Sequence, residues 1–158
     1  EGRVRLRHSE NSCQGAECDP STSNRFIRPN QVNDDHMNIE EIREYCLSLP
    51  MAQEDMRFGE DYLLFSVLGK IFACIGLRRP DYFALKCDPG YAIELRDLHP
   101  EIEPAWHWNK RYWNQLSLRG NLRDELITSL IRHSYSEVVR KMTRKAKTEY
   151  PQILTVGQ

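Results

Sequence analysis

No stretch of this chain approaches the roughly 20 consecutive apolar residues a membrane-spanning helix needs. Its longest apolar runs, residues 62–68 and 71–77, are strand-sized. The N-terminal residues lack the apolar core of a secretory signal, so a cytoplasmic location is expected. Charge of one sign is also missing. The formal net charge is -1, which excludes the global basic field of many nucleic-acid binders and leaves only a local patch for such a role. The five cysteines contain no CxxC pair, which argues against a disulfide framework and against a zinc ribbon. A Gly-rich phosphate loop, an HExxH helix and a GxSxG elbow are all absent. His99, His107 and His133 stand apart, and only composition recommends a Cys87–His107 pair. No enzyme activity, cofactor or metal is expected.

What is present reads as one globular domain. Of 158 residues, 40% are hydrophobic and 28% charged, a balance that supports a core without covalent staples. Residues 1–36 are polar and carry no helical or strand period. Met37 looks like a translation start, so residues 1–36 are expected to be a non-native or disordered leader. The alternative is a flexible arm using Arg3, Arg5, Arg7, Arg25 and Arg28, which the leader's acidic residues nearly cancel. The domain is expected over 37–150, followed by a tail over 151–158.

Asn38 and Glu41 form a capping-box start, and Ile39, Ile42, Cys46 and Leu49 recur at helical spacing until Pro50. Four strands follow. Met56 and Phe58 alternate with polar neighbours, residues 62–68 form a second strand, Gly69-Lys70 turns the chain into 71–75, and 82–87 return. Such short connections require antiparallel pairing. Asp88-Pro89 opens a second helix that runs to Leu98. Residues 101–112 read as irregular, and 113–118 as a strand with Trp113, Gln115 and Ser117 on one face. A long amphipathic helix from Leu122 ends in a basic run of Arg140, Lys141, Arg144, Lys145 and Lys147. The order α-β-β-β-β-α-β-α predicts an α+β fold, an antiparallel sheet with helices packed on one face.

Residues 106–114 gather four aromatics, two cations, two amides and an imidazole. Aromatic faces stack on bases, and cations hold phosphates. The same types suit a small anionic ligand. The competing structural reading buries the tryptophans and lets Asn109 and Asn114 fix the loop backbone. Lys86, just before a helix start able to bind an anion, could join Lys110 and Arg111. Arg78 and Arg79 occupy a loop able to grip a phosphate backbone.

The segments Met37-Asn-Ile-Glu-Glu-Ile-Arg-Glu-Tyr-Cys, Phe58-Gly-Glu-Asp, Leu85-Lys-Cys-Asp-Pro, His107-Trp-Asn-Lys-Arg-Tyr-Trp-Asn and Leu126-Ile with His133-Ser-Tyr resemble, in order and spacing, the MmcQ/YjbR family. The resemblance runs from Met37 to about Lys147. It implies a fold similar to the bacterial frataxin homologue CyaY, and a DNA-binding role. The frataxin likeness also raises iron handling, which needs closely spaced carboxylates; Arg43 interrupts Glu40, Glu41 and Glu44.

The leading expectation is therefore a DNA-binding or regulatory module without catalysis, with Lys86, His107, Asn109, Lys110, Arg111, Arg78 and Arg79 as contact residues. Duplex DNA is the expected partner. The alternative is a module binding a small anionic ligand or a protein, which requires a concave pocket beneath residues 106–113.

Overall fold

A computed structural model describes residues 36–156. The expectations for the leader, including its five arginines, concern residues outside the described ones. Helix α1 (Ile39–Ser48) starts as its sequence directs. The Asn38 side chain accepts from the N–H groups of Glu40 and Glu41, and Glu41 accepts in return from the Asn38 N–H. Strands β1 (Ala52–Asp55), β2 (Tyr62–Val67), β3 (Lys70–Gly76) and β4 (Tyr82–Lys86) lead into α2 (Pro89–Leu98). Strands β5 (Ile102–Pro104) and β6 (Trp113–Ser117) precede α3 (Asp124–Arg140), α4 (Arg144–Glu149) and a 3-10 turn over Pro151–Leu154. The fold is α+β, with one antiparallel sheet in the order β1-β2-β3-β4-β6-β5.

The main core lies between one face of the sheet and the helices. Phe65, Phe83, Leu85 and Leu116 meet Ile42, Leu95, Ile131 and Tyr135 there. A bulge sharpens this packing. Phe65 pairs with Ala73 and Ser66 with Ile71, which leaves Phe72 unpaired. Phe72 and Ala73 therefore both enter the helical core, where Phe72 meets Tyr135 at 5.5 Å between ring centroids. Ser134 of α3 locks the layers together. Its hydroxyl donates to the Phe72 carbonyl and accepts from the Lys86 N–H at 2.8 Å.

The opposite face carries no helix among the described residues. It holds a smaller cluster of Leu64, Cys74, Ala84, Ala105 and Trp113, with Tyr62, Trp108 and Tyr112 packed against it.

The structure corrects several expectations. The first strand is β1, earlier than Met56 and Phe58, which are 44% and 57% exposed in the following turn. Asp55 ends the strand by accepting from the Arg57 backbone N–H and its guanidinium. The hairpin between β2 and β3 turns on Leu68 (φ 46) and Gly69 (φ 75), the positive-φ pair of a type I′ loop; Lys70 opens β3. Residues 101–112 contribute β5, an edge strand ending on Pro104, whose missing N–H costs nothing at an edge. The last helix is two: Thr143 stops α3's continuation by capping α4, accepting from the Ala146 N–H at 3.2 Å. Beyond residue 150, Ile153 is 1% exposed and packs in the main core.

Candidate functional site

The helix-free face contains a cleft of about 410 Å³. Strand register explains its floor. Cys74 pairs with Ala84, and Ala84 with Gln115, so two small side chains stand in a row with an amide, beyond which the exposed Glu103 of β5 continues the row. Gly76, opposite Tyr62, extends the low ground. Tyr62 and Tyr82 flank it, and Trp106, His107 and Trp108 of the β5–β6 loop close one side. Arg78 and Arg79 of the β3–β4 loop stand at the rim with Asp61.

The rings of this loop differ in role. Trp108 stacks on Trp113, with centroids 4.2 Å apart and planes at 23°, and Phe58 lies 6.1 Å away, tilted against Trp108. Trp113 is 6% exposed and Trp106 is 61% exposed. Two tryptophans thus hold the loop to the sheet, while Trp106 presents its ring to solvent beneath the Arg79 guanidinium at 5.9 Å. His107 meets Tyr62 edge-on at 6.1 Å.

The two rim arginines are not equivalent. Arg78 is spent on Asp61 at 2.7 Å. Arg79 has no carboxylate partner among the described residues. Burial pushes the thiol of Cys74 on the floor up to about 12, against a weaker opposing hydrogen bond from Trp108.

Of the expected contact residues, Arg78, Arg79 and His107 meet in this cleft. The others do not. The Asn109 side-chain Oδ1 accepts from the Arg111 N–H at 3.0 Å and fixes the turn. Lys110 is exposed, and its carbonyl accepts from Arg96. Asn114 is 2% exposed, accepts from Arg96 Nε at 2.8 Å and anchors α2 to β6. The start of α2 is not an open anion site, because the Asp88 carboxylate already accepts from the Gly90 and Tyr91 N–H groups.

The sequence model of the YjbR family matches residues 47–137. The chain belongs to the YjbR family. The matched span runs from the end of α1 to the last turns of α3 and includes every residue of the cleft. The uncharacterised protein YjbR of Escherichia coli (strain K12) is 28% identical over 112 residues, 70% of this chain and 95% of that protein. The uncharacterised protein YbdF of Escherichia coli O157:H7 is 28% identical over 107 residues, 67% of this chain and 88% of that protein. A crystal structure of a Deinococcus radiodurans protein superposes with a TM-score of 0.68 at 32% identity, covering 74% of this chain and 90% of that one. A Pseudomonas syringae protein gives 0.56 at 26% identity, covering 65% and 99%.

On this YjbR-family domain a second basic group lies beyond the Trp108–Trp113 stack. Lys86 lies 6.0 Å from the Trp113 ring, and Lys141 and Arg111 lie 5.0 and 5.7 Å from the Tyr112 ring. Burial, and then the neighbouring charges of Lys141 and Lys70, lower the Lys86 ammonium below its ordinary range, with Glu137 opposing. Lys86 thus joins Lys141 and Arg111 around the Tyr112–Trp113 rings, whereas the sequence pattern marks Lys141 only as part of a basic helix end. The sequence reading also missed Tyr62, Tyr82, Ala84 and Gln115. Their signal is the alternation of β2, β4 and β6, legible only once the strand register is known. Among the described residues no three His, Cys, Asp or Glu side chains gather as a metal-ligand set, and no helix is long and apolar enough to cross a membrane.

Proposed function

We propose that this YjbR-family chain is a binding module for a small anionic ligand held in the helix-free cleft, and not a catalyst. One observation carries the reading: a cleft of about 410 Å³, walled by aromatic rings, has at its rim the Arg79 guanidinium, which has no carboxylate partner among the described residues. Ligand sites are concave and mostly apolar, with a few placed polar groups and volumes of roughly 300–1,000 Å³. The buried, high-pKa thiol of Cys74 leaves the floor without an activated nucleophile. The free, buried Cys46, Cys74 and Cys87 suit a reducing compartment, and the reading places the module in the cytoplasm.

Duplex DNA is the second reading, favoured by Lys86, Arg111 and Lys141 converging on the Tyr112–Trp113 rings. It places the contact on the other side of the aromatic stack from the cleft.

Calorimetric titration of the full chain with benzoate, phenyl phosphate and a short DNA duplex, at low and moderate salt, separates the two. The cleft reading expects a small anion to bind and Arg79→Ala to weaken it roughly tenfold, the scale of one charge-assisted hydrogen bond. Duplex binding that falls steeply with salt, is lost in Lys141→Glu and ignores Arg79→Ala favours DNA and rejects the cleft reading.

A further inference from the structure

We infer that the ligand of this cleft is a planar N-heterocycle of one or two rings carrying a single acidic group; the inference rests on the small-anion reading above and gives it a chemical class.

Flatness follows from the strands. On the helix-free face, β3 and β4 present Cys74, Gly76 and Ala84, while Tyr62 and Tyr82 rise beside them. The result is a shallow trough in the sheet surface. Trp108 lines it in a pose held by its stack on Trp113. A slot between a pleated floor and an indole wall accepts a ring lying flat. A branched aliphatic chain of equal volume has no comparable face to offer to Trp106 and Trp108, and ring stacking adds specificity beyond the area buried.

The heterocyclic edge follows from Gln115. It continues the row of Cys74 and Ala84 across β6 and lines the cleft. Its side-chain amide has no hydrogen-bond partner among the described residues. Asn114 next to it accepts from Arg96 and donates to the Ala92 carbonyl. A glutamine amide offers a donor and an acceptor side by side. The edge that satisfies both at once is a ring amide or amidine, in which a donor and an acceptor also stand next to each other. A carbocycle leaves the amide unpaired in a drying cleft, and a site built to bond such an edge rejects an isostere that lacks it.

The acid follows from Arg79. Its guanidinium is held against the exposed Trp106 ring at 5.9 Å, whereas its neighbour Arg78 is neutralised by Asp61. One fork without a carboxylate partner among the described residues calls for one carboxylate or phosphate. His107, at the mouth beside Tyr62, supplies a further polar contact.

Two sources share this chemistry, a heterocyclic carboxylate and a nucleoside monophosphate. Calorimetry on the full chain distinguishes them with pterin-6-carboxylate and guanosine 5′-monophosphate as probes. Naphthalene-2-carboxylate serves as the carbocyclic isostere of the first. At least one heterocyclic acid is expected to bind about tenfold or more tightly than naphthalene-2-carboxylate; whichever of the two binds more tightly names the source. Gln115→Leu should erase that preference and leave naphthalene-2-carboxylate binding as it was. Gln115→Met, which keeps the side-chain length and loses both polar groups, should erase it too, with unchanged thermal unfolding showing that both variants fold. Equal binding of naphthalene-2-carboxylate and the heterocycles, or a preference that survives both variants, overturns the heterocycle while the anion-binding cleft stands. Failure of all three acids to bind removes the cleft reading and this inference together.

Discussion

Trp108 lies nearly parallel to Trp113, 4.2 Å away, and shares the helix-free cluster with it. Trp113 is fixed by β6, whose neighbour Asn114 is bonded to Arg96 of α2. The β5–β6 loop is therefore held at a rigid point, and the cleft wall exists before any ligand arrives. Preformed walls spare a ligand the entropy of ordering them.

Truncating this wall should separate stability from binding. Removing a fully buried Trp costs about 3–5 kcal/mol; Trp108 is half-buried, so Trp108→Ala is expected to lose about 2 kcal/mol and to abolish small-anion binding. Trp106→Ala, at an exposed position, should change stability by under about 0.5 kcal/mol and still weaken binding. Urea denaturation beside calorimetry reads both quantities.

Asn114→Ala should destabilise the domain by about 1–3 kcal/mol, because it leaves the Arg96 Nε–H without its acceptor beside a buried strand. Lys110→Ala should be neutral, since the carbonyl of Lys110, and not its ammonium, is held by Arg96. Denaturant midpoints of the two variants make the comparison.

His133 predicts a pH dependence. Burial lowers its pKa below the ordinary 6.5, with Glu137 and Asp88 opposing, and its unprotonated Nε2 accepts from the Asp88 N–H at 3.3 Å. The unfolded chain takes up this proton first as pH falls. The stability contribution is thus complete above the ordinary imidazole value and is lost as pH drops from there through the folded pKa. His133→Gln should flatten that part of the stability curve, measured by chemical denaturation between about pH 7.5 and pH 5.

Cys74 should resist alkylation in the folded protein at neutral pH, because its thiol is pushed up to about 12. Iodoacetamide labelling read by peptide mass spectrometry is expected to leave Cys74 unmodified until denaturant is added. Trp108→Ala should open it to slow labelling.

Much of the fold was legible because local signals agreed with it. The Asn38–Glu41 box, the periodicity of α3 and the faces of β6 all stand where residue patterns placed them. The misses share a cause. Strand β1 is Ala-Gln-Glu-Asp, an edge with no apolar alternation, and what holds its Glu54 is Arg43 across on α1, through a two-point ion pair. Strand β5 is three residues long and exists because β6 is there to pair with it. The aromatic loop was visible as composition, but composition could not separate Trp106 from Trp113. The cleft floor was illegible, since Cys74, Ala84 and Gln115 become neighbours through pairing across three strands.

The central claim, that the helix-free cleft binds a small anion, is tested most directly by following the three indole N–H signals in proton–nitrogen NMR spectra while phenyl phosphate is added. The account predicts saturable shifts of the Trp106 and Trp108 signals, a smaller shift of Trp113, and a midpoint for these shifts about tenfold higher in Arg79→Ala. Indole signals that stay fixed while the backbone amides of Arg111 and Lys141 move would contradict it.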